Sequence, residues 1–272
     1  MIKNISTILT LYKTPLNKLN NLTQYKDFKL LLFEQEGNKF SKKKLQKILN
    51  FRFKYYFSKK NIGLSKASNF LLTKVKSKFV LFTQPDIFIE KKDILKLKKI
   101  FRIDKSIIFV TPRIIQSRKN IKKKKNKIKY TKMIKAACIL CDVKKLKEIG
   151  FFDEDFFLYW EDIDLMRRIN QSKYKMVIAN NIYVSHNSSQ SSENSLKTQY
   201  IRKLNFIFGE LVNDYKCKKI RVIKITRKIF QNLVLFFFNL IKLQVKDSLN
   251  NFSIICGIVK FILFYLKKKI RL

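Results

Sequence analysis

Apolar residues fall into short runs separated by polar, lysine-rich stretches, and the runs alternate in kind. Ile5–Tyr12 (ISTILTLY) is β-branched and almost wholly apolar, the pattern of a buried strand. Phe28–Phe33 (FKLLLF), Arg52–Phe57, Lys78–Phe82, Ser106–Val110 and Ala136–Cys141 read the same way. Between them, Leu16–Asn21, Lys42–Leu49, Leu64–Thr73, Lys92–Phe101 and Val143–Ile149 predict helices, the last with Asp142 as N-cap and Gly150 as C-cap. Turn chemistry separates the runs at EQEGN, which contains Gly37, at Asn61-Ile62-Gly63 and at Gln84-Pro85-Asp86. Strands alternating with helices predict an α/β fold with a mostly parallel, doubly wound sheet flanked by helices. Farther on, Trp160–Ser172 predicts a helix whose apolar face carries Ile163, Leu165, Met166 and Ile169. Met176–Ala179 and Ile182–Ser185 predict a last short strand pair, ending at His186. Arg118–Lys132, nearly all lysine, and Asn187–Ser195, rich in Ser and Asn, read as loops.

From about Glu193 the pattern turns helical. Ile229–Leu243 and Phe252–Leu266 are apolar stretches bounded by basic residues, each about fifteen residues against the roughly twenty that cross a bilayer. Lys260 interrupts the second. Amphipathic helices tilted at a membrane interface, lysines toward acidic headgroups, are the expectation; the alternative is a helical appendage packed on the domain or on a second subunit. The division expected is a domain over 1–212 and a basic, apolar helical tail over 213–272. The opening MIKNISTILTLY has no long apolar segment followed by a cleavage site, so no signal peptide is expected. No fixed-period repeat is present.

Charge narrows the partners. Lys and Arg outnumber Asp and Glu by 60 to 19 over 272 residues, a net charge of +41. That excess suits nucleic acid, anionic lipid or nucleotide phosphates. A composition biased toward Lys, Ile, Asn and Phe together would produce the same number. The 46% hydrophobic content excludes a disordered chain. Cys138 and Cys141 form a lone CxxC on a predicted strand, where positions three apart point to opposite faces, so the pair would not share a metal. Buried free thiols and a cytosolic setting follow.

One stretch stands apart from this basic background. Phe151–Arg168 (FFDEDFFLYWEDIDLMRR) holds six carboxylates and six aromatics in eighteen residues. Acids this dense in an apolar frame are costly to bury unless they bind a cation, pair with Arg or move protons. Glu161 and Asp162 fall in the first turn of the predicted helix, where its dipole favours negative charge. Asp164 reaches Arg167 and Arg168 at three and four residues.

This stretch resembles the (G)GFDExFFxYxEDxDLxxR segment of family 2 glycosyltransferases, in particular their rhamnosyltransferase-like group. The likeness runs from about Ile5 to His186. It implies a GT-A-type fold and an inverting transfer of a sugar, rhamnose or another hexose, from a nucleotide-sugar donor. The acceptor it implies is a cell-surface glycan or a lipid-linked one, at the cytoplasmic face of the inner membrane. The resemblance implies Asp162 as general base, with Glu161 orienting acceptor or base. Asp153 and Glu154 would shape the acceptor side, and Trp160 would offer an apolar face to a sugar ring. Asp86, in FTQPD after a buried strand, corresponds to the acid that binds Mg²⁺ or Mn²⁺ on the donor diphosphate; Gln84 departs from the family pattern, where a second acid or Asn is common. Asn61, Gly63 and Asn69, in NIGLSKASN, match a segment beside the donor. Thr10 and Tyr12 end the first strand, where the family contacts the nucleoside. Glu34 follows the second strand, where EQEG replaces the family's Asp-containing turn, so Glu34 or Glu36 would serve. His186, the one histidine, matches a segment giving it a metal or diphosphate role. The competing readings are a basic nucleic-acid-binding protein, although no nucleic-acid signature is present, and a non-catalytic relative of the family.

Overall fold

The computed structural model describes residues 2, 4–115, 126–186 and 192–270. The chain divides into two compact units, Met1–Phe152 with Asp162–Glu193, and Asp153–Glu161 with Asn194–Leu272.

The first unit is a mixed α/β sandwich. Its strands are β1 (Ile5–Tyr12), β2 (Lys29–Gln35), β3 (Lys54–Ser58), β4 (Phe79–Thr83), β5 (Ile107–Ile115), β6 (Ile128–Thr131), β7 (Cys138–Asp142) and β8 (Lys175–Ser185). They form one sheet in the order β3-β2-β1-β4-β7-β5-β8-β6. Strands β1–β4 pair in parallel, β7 runs antiparallel to both β4 and β5, and β8 is parallel to β5. The C-terminal ends of β1, β2, β3, β4, β5 and β8 therefore share one edge, where open α/β sheets bind ligands.

Alternating side chains feed two cores. Ile5, Leu9 and Leu11 of β1 pack on one face with α1 (Leu16–Asn20), a 3₁₀ turn (Asn21–Tyr25), α2 (Lys39–Leu49) and α4 (Lys91–Ile100). Ile8 packs on the other face with α3 (Leu64–Lys74), α5 (Val143–Ile149) and α6 (Glu161–Asn170). Cys138 and Cys141 divide between the two cores as free thiols, as their spacing requires. Asp142 caps α5 through the amides of Lys144 and Lys145.

Two expectations are corrected. The lysine-rich stretch contains a strand, β6, which pairs antiparallel with β8; residues 116–125 lie outside the described part. The expected strand pair over Met176–Ser185 is one continuous strand. Its register against β5 jumps from Pro112↔Ala179 to Arg113↔Tyr183, so the polar Asn180-Asn181 that reads as a break is absorbed as an irregularity. Asn180 is buried there, its side chain donating to the Asn126 carbonyl at 3.0 Å. Of the Asn187–Ser195 loop, residues 187–191 also lie outside the described part.

The second unit holds α7 (Leu196–Lys216), α8 (Val222–Ile241) and α9 (Val245–Ile270). Its core joins Phe156 to Ile207, Phe208, Leu211, Val212, Ile258 and Phe261. Helix α9 is 26 residues long, and by length and composition it is apolar enough to cross a membrane, which the fifteen-residue reading did not anticipate. The extra length comes from largely polar turns at both ends, residues 245–251 and 267–270, that continue the helix. Lys260 does not break it because its ammonium donates to Asn205 at 2.7 Å and lies 4.3 Å from the centre of the Phe208 ring.

Candidate active site

At the shared strand edge, the loop after β4 brings Asp86 to His186, which follows β8. Asp86 Oδ2 and His186 Nε2 are 3.5 Å apart, with side-chain exposures of 1% and 14%. That separation is too long for a good hydrogen bond. Both Asp86 oxygens and His186 Nε2 are buried with no hydrogen-bond partner among the described residues. A desolvated carboxylate without a donor is expensive unless something positive completes it. Among the described residues, no group of three His, Cys, Asp or Glu side chains is placed to hold a metal. Two protein ligands suit a cation whose remaining positions are filled by substrate phosphates and water, the usual arrangement for Mg²⁺.

The loop is held by residues that sequence reasoning missed. Asn21 donates to the Pro85 carbonyl at 3.1 Å. Gln24 donates to the Ile87 carbonyl at 2.9 Å and accepts from the Ile89 amide at 2.6 Å. The Tyr25 and Thr83 hydroxyls bond at 3.2 Å. The 3₁₀ turn after α1 thus splints the backbone on both sides of Asp86. Its one signal in the sequence was a polar cluster, NLTQY, too short to separate from an ordinary connector.

At the end of β1, Thr10 is half-buried, and the hydroxyls of Tyr12 and Thr14 are buried without hydrogen-bond partners among the described residues. Glu34 accepts from the Tyr55 hydroxyl, while Glu36 is exposed with φ 56°. Asn61 accepts from the Gly63 amide at 3.0 Å, and Gly63 has φ 89°, a conformation that favours glycine, at the start of α3. The buried Gln35 holds this turn, donating to the Gly63 carbonyl at 2.8 Å and accepting from the Ile62 amide at 2.9 Å. It shares strand parity with Leu31 and Phe33, which was the available sign that it points into the sheet's second face.

Asn69 is tied elsewhere than at the strand edge. Its amide donates to the Phe152 carbonyl at 2.8 Å and its oxygen accepts from the Phe152 amide at 3.1 Å. Asp164 is buried and bonded by both Arg167 and Arg168. Arg168 also donates to the carbonyls of Ile149, Gly150 and Phe151, at 3.0, 2.9 and 2.7 Å. Together Asn69 and Arg168 fix the chain where it leaves the first unit. Removing one partner of such a buried charge cluster leaves the other uncompensated.

The chain re-enters the first unit at Asp162, which accepts from the Ile163 amide at 2.9 Å. Burial raises the Asp162 carboxyl above its ordinary range, and hydrogen bonds from backbone amides oppose that only in part. A carboxylate made more basic by desolvation is suited to accept a proton.

The remaining acidic residues belong to the second unit. Asp153 and Asp155 are bonded by Lys216 at 2.6 and 2.8 Å, and Glu154 is exposed. Tyr159 and Trp160 have φ of 68° and 70°, two successive left-handed residues immediately before Glu161. Strain of this kind persists only where the surroundings over-determine it. Gly209 on α7 supplies the room: a Cβ there would lie 2.8 Å from Trp160 Cδ1 and 3.0 Å from the Tyr159 carbonyl. Gly209→Ala is therefore expected to destabilise the protein by about 1–3 kcal/mol. A lowered thermal midpoint with altered Trp160 fluorescence checks this.

The sheet and its flanking helices form a GT-A-type fold. The family model for glycosyl transferase family 2 matches residues 10–165, more than half of the chain, and the protein belongs to that family. Comparison with curated protein sequences gives no match. Among solved structures, mannosyltransferase PcManGT from Pyrobaculum calidifontis, in complex with GDP-Man and Mn²⁺, is similar with TM-score 0.56 and 13% identity over 78% of this chain. GalNAc-T7 with UDP, GalNAc and Mn²⁺ gives TM-score 0.54 and 13% identity over 76% of this chain. This chain spans 64% and 47% of those two chains. S. aureus TarS 1–349 gives TM-score 0.55 and 12% identity, covering 94% of this chain and 91% of that one.

Proposed function

We propose that the protein is a metal-dependent, inverting glycosyltransferase that moves a hexose, rhamnose among the candidates, from a nucleotide-sugar donor to a cell-surface glycan or lipid-linked acceptor. The observation that carries this reading is the buried Asp86–His186 pair, 3.5 Å apart and with no hydrogen-bond partner among the described residues, at the edge where parallel strands end. Those two residues would hold Mg²⁺ or Mn²⁺, which when bound offsets the charge of the donor diphosphate. Neighbours with Mn²⁺ in their complexes support that choice. Thr10, Tyr12, Glu34, Asn61 and Gly63 would line the nucleoside side, with Asn69 acting through its hold on Phe152. Asp162 takes the proton of the acceptor hydroxyl as that oxygen bonds to the anomeric carbon. The bond from that carbon to the diphosphate oxygen breaks, and the configuration inverts. Glu161 orients the base, while Asp153, Glu154 and Trp160 form the acceptor side.

In this reading the transferase domain covers about 1–212. The basic helical tail over 213–272 places the enzyme at the cytoplasmic face of the inner membrane, against anionic lipid. A panel of UDP-, GDP- and dTDP-sugars tests the reading through release of nucleoside diphosphate. Turnover of one donor class, lost on chelation and restored by Mn²⁺ or Mg²⁺, is expected. No turnover of any donor, together with salt-dependent binding to any nucleic acid, would favour the basic nucleic-acid-binding alternative.

A further inference from the structure

Around the apolar core of the second unit, helices α8 and α9 turn most of their large apolar side chains outward and bury several small or polar ones. Nineteen of the twenty-nine exposed large apolar side chains among the described residues lie between Val222 and Ile270. On α8, Ile241 is 83% and Phe230 69% exposed, while the one buried residue is Asn232. On α9, Ser248, Asn251, Ser253 and Gly257 are buried with Ile258 and Phe261, whereas Phe252, Leu263 and Leu266 are exposed. Two of the buried polar groups bond within their own helices, Asn232 to the Lys228 carbonyl and Ser253 to the Leu249 carbonyl. A Cβ at Gly257 would lie 2.6 Å from the Leu204 carbonyl, so α9 and α7 meet closely at a small residue. Water drives the opposite arrangement, and small or polar residues between helices with apolar ones outside is the arrangement lipid favours. From Lys218 to Ile270 the chain carries twelve Lys and Arg and one Asp. A second copy would bring the same charge, so anionic lipid is the complementary cover.

The same unit carries the segment Asp153–Glu161, and Lys216 makes the connection. At the end of α7 its ammonium bonds Asp153 and Asp155 and lies 5.8 Å from the centre of the buried Phe156 ring. Lys268, in the last turn of α9, reaches Asp155 at 3.2 Å. The two lysines hold the Asp155 carboxyl below its ordinary range against the opposing effect of burial. Trp160, at the far end of the segment, packs on Phe206 of α7 at 5.7 Å and fills the space over Gly209.

We propose that Lys216 is a positioning residue that locks the 153–160 segment onto lipid-facing helices, so that docking on an anionic membrane is transmitted to Trp160. The naming of this segment as the acceptor side rests on the transferase reading; the lock and its response to lipid do not. Trp160 is the one tryptophan in the chain, so selectively excited tryptophan emission reports on this segment alone. The experiment adds phosphatidylglycerol vesicles, and phosphatidylcholine vesicles as control, to the full-length protein. Binding is followed by co-sedimentation, and Trp160 emission and acrylamide quenching are read in parallel. Wild type is expected to bind the anionic vesicles and shift its Trp160 emission on binding. Lys216→Met is expected to bind equally with the shift lost and Trp160 more quenchable without lipid, and Lys216→Arg to restore both. Absence of binding to anionic vesicles, binding with no change at Trp160, or an unaltered shift in Lys216→Met would each overturn the proposal. Donor turnover measured on the same preparations separates this outcome from failure of the transferase reading.

Discussion

Asp162→Asn is expected to lower sugar transfer by about 10²–10⁴-fold, the usual contribution of a positioned base, and to make the protein more stable. The two effects share one cause. Burial holds the Asp162 carboxyl above its ordinary pKa, so its ionised form is both a better proton acceptor and a burden on the fold. The sign follows from proton linkage. Between the unfolded and the raised folded pKa the folded chain binds more protons, so stability falls as pH rises through that window. The wild type therefore matches Asp162→Asn at low pH and falls behind it once the carboxylate is ionised. At neutral pH the variant is expected to melt at a higher temperature than the wild type. The acid limb of kcat/KM should lie above the ordinary carboxylate range, as ionised Asp162 is the active form. Thermal scans at several pH values, beside initial rates, check both halves. A variant that loses activity and stability together would mark Asp162 as structural.

Asp86→Ala is expected to reduce turnover by about 10³-fold or more, the scale of several kcal/mol of charge stabilisation. In the absence of cation it should not destabilise the protein, because among the described residues neither carboxylate oxygen has a hydrogen-bond partner to lose. His186→Ala should act in the same direction with a smaller effect, leaving one ligand of the pair. Titration of activity with Mn²⁺ distinguishes these from general damage: His186→Ala should need more cation, while Asp86→Ala should not recover at any concentration. Recovery of Asp86→Ala to wild-type rates with added Mn²⁺ would place the cation elsewhere.

The sheet was legible because short, almost wholly apolar runs and turn chemistry agree along the first 150 residues. Ile5–Tyr12 matches its observed bounds for that reason, and helix Val143–Ile149 matches because Asp142 and Gly150 mark its ends. Misreadings came where a local signal was overridden by tertiary pairing. Asn180-Asn181 reads as a break, yet β5 holds β8 through it. Ile128–Thr131 lies in a lysine run and becomes a strand only through its pairing with β8. Asp86, Asp162 and His186 stood out by residue type and order alone. The residues that place them did not. Gln24, Gln35 and Arg168 act on backbone far away in sequence, and no spacing rule connects Gln24 with Ile89 or Arg168 with Ile149. The outward turn of so many apolar side chains on α8 and α9 was likewise hidden, because composition shows that a helix is apolar and not which side faces its neighbour.

The central claim is that Asp86 and His186 form a cation site for a nucleoside diphosphate. Its most direct test is the thermal midpoint of the wild type and of Asp86→Ala with UDP, GDP and dTDP, each with and without Mn²⁺. Ligand that binds only the folded state raises the midpoint by mass action. The account predicts a rise in the wild type for one nucleotide only when Mn²⁺ is present, and none in the variant. An equal rise in the variant, or a rise indifferent to Mn²⁺, would contradict it.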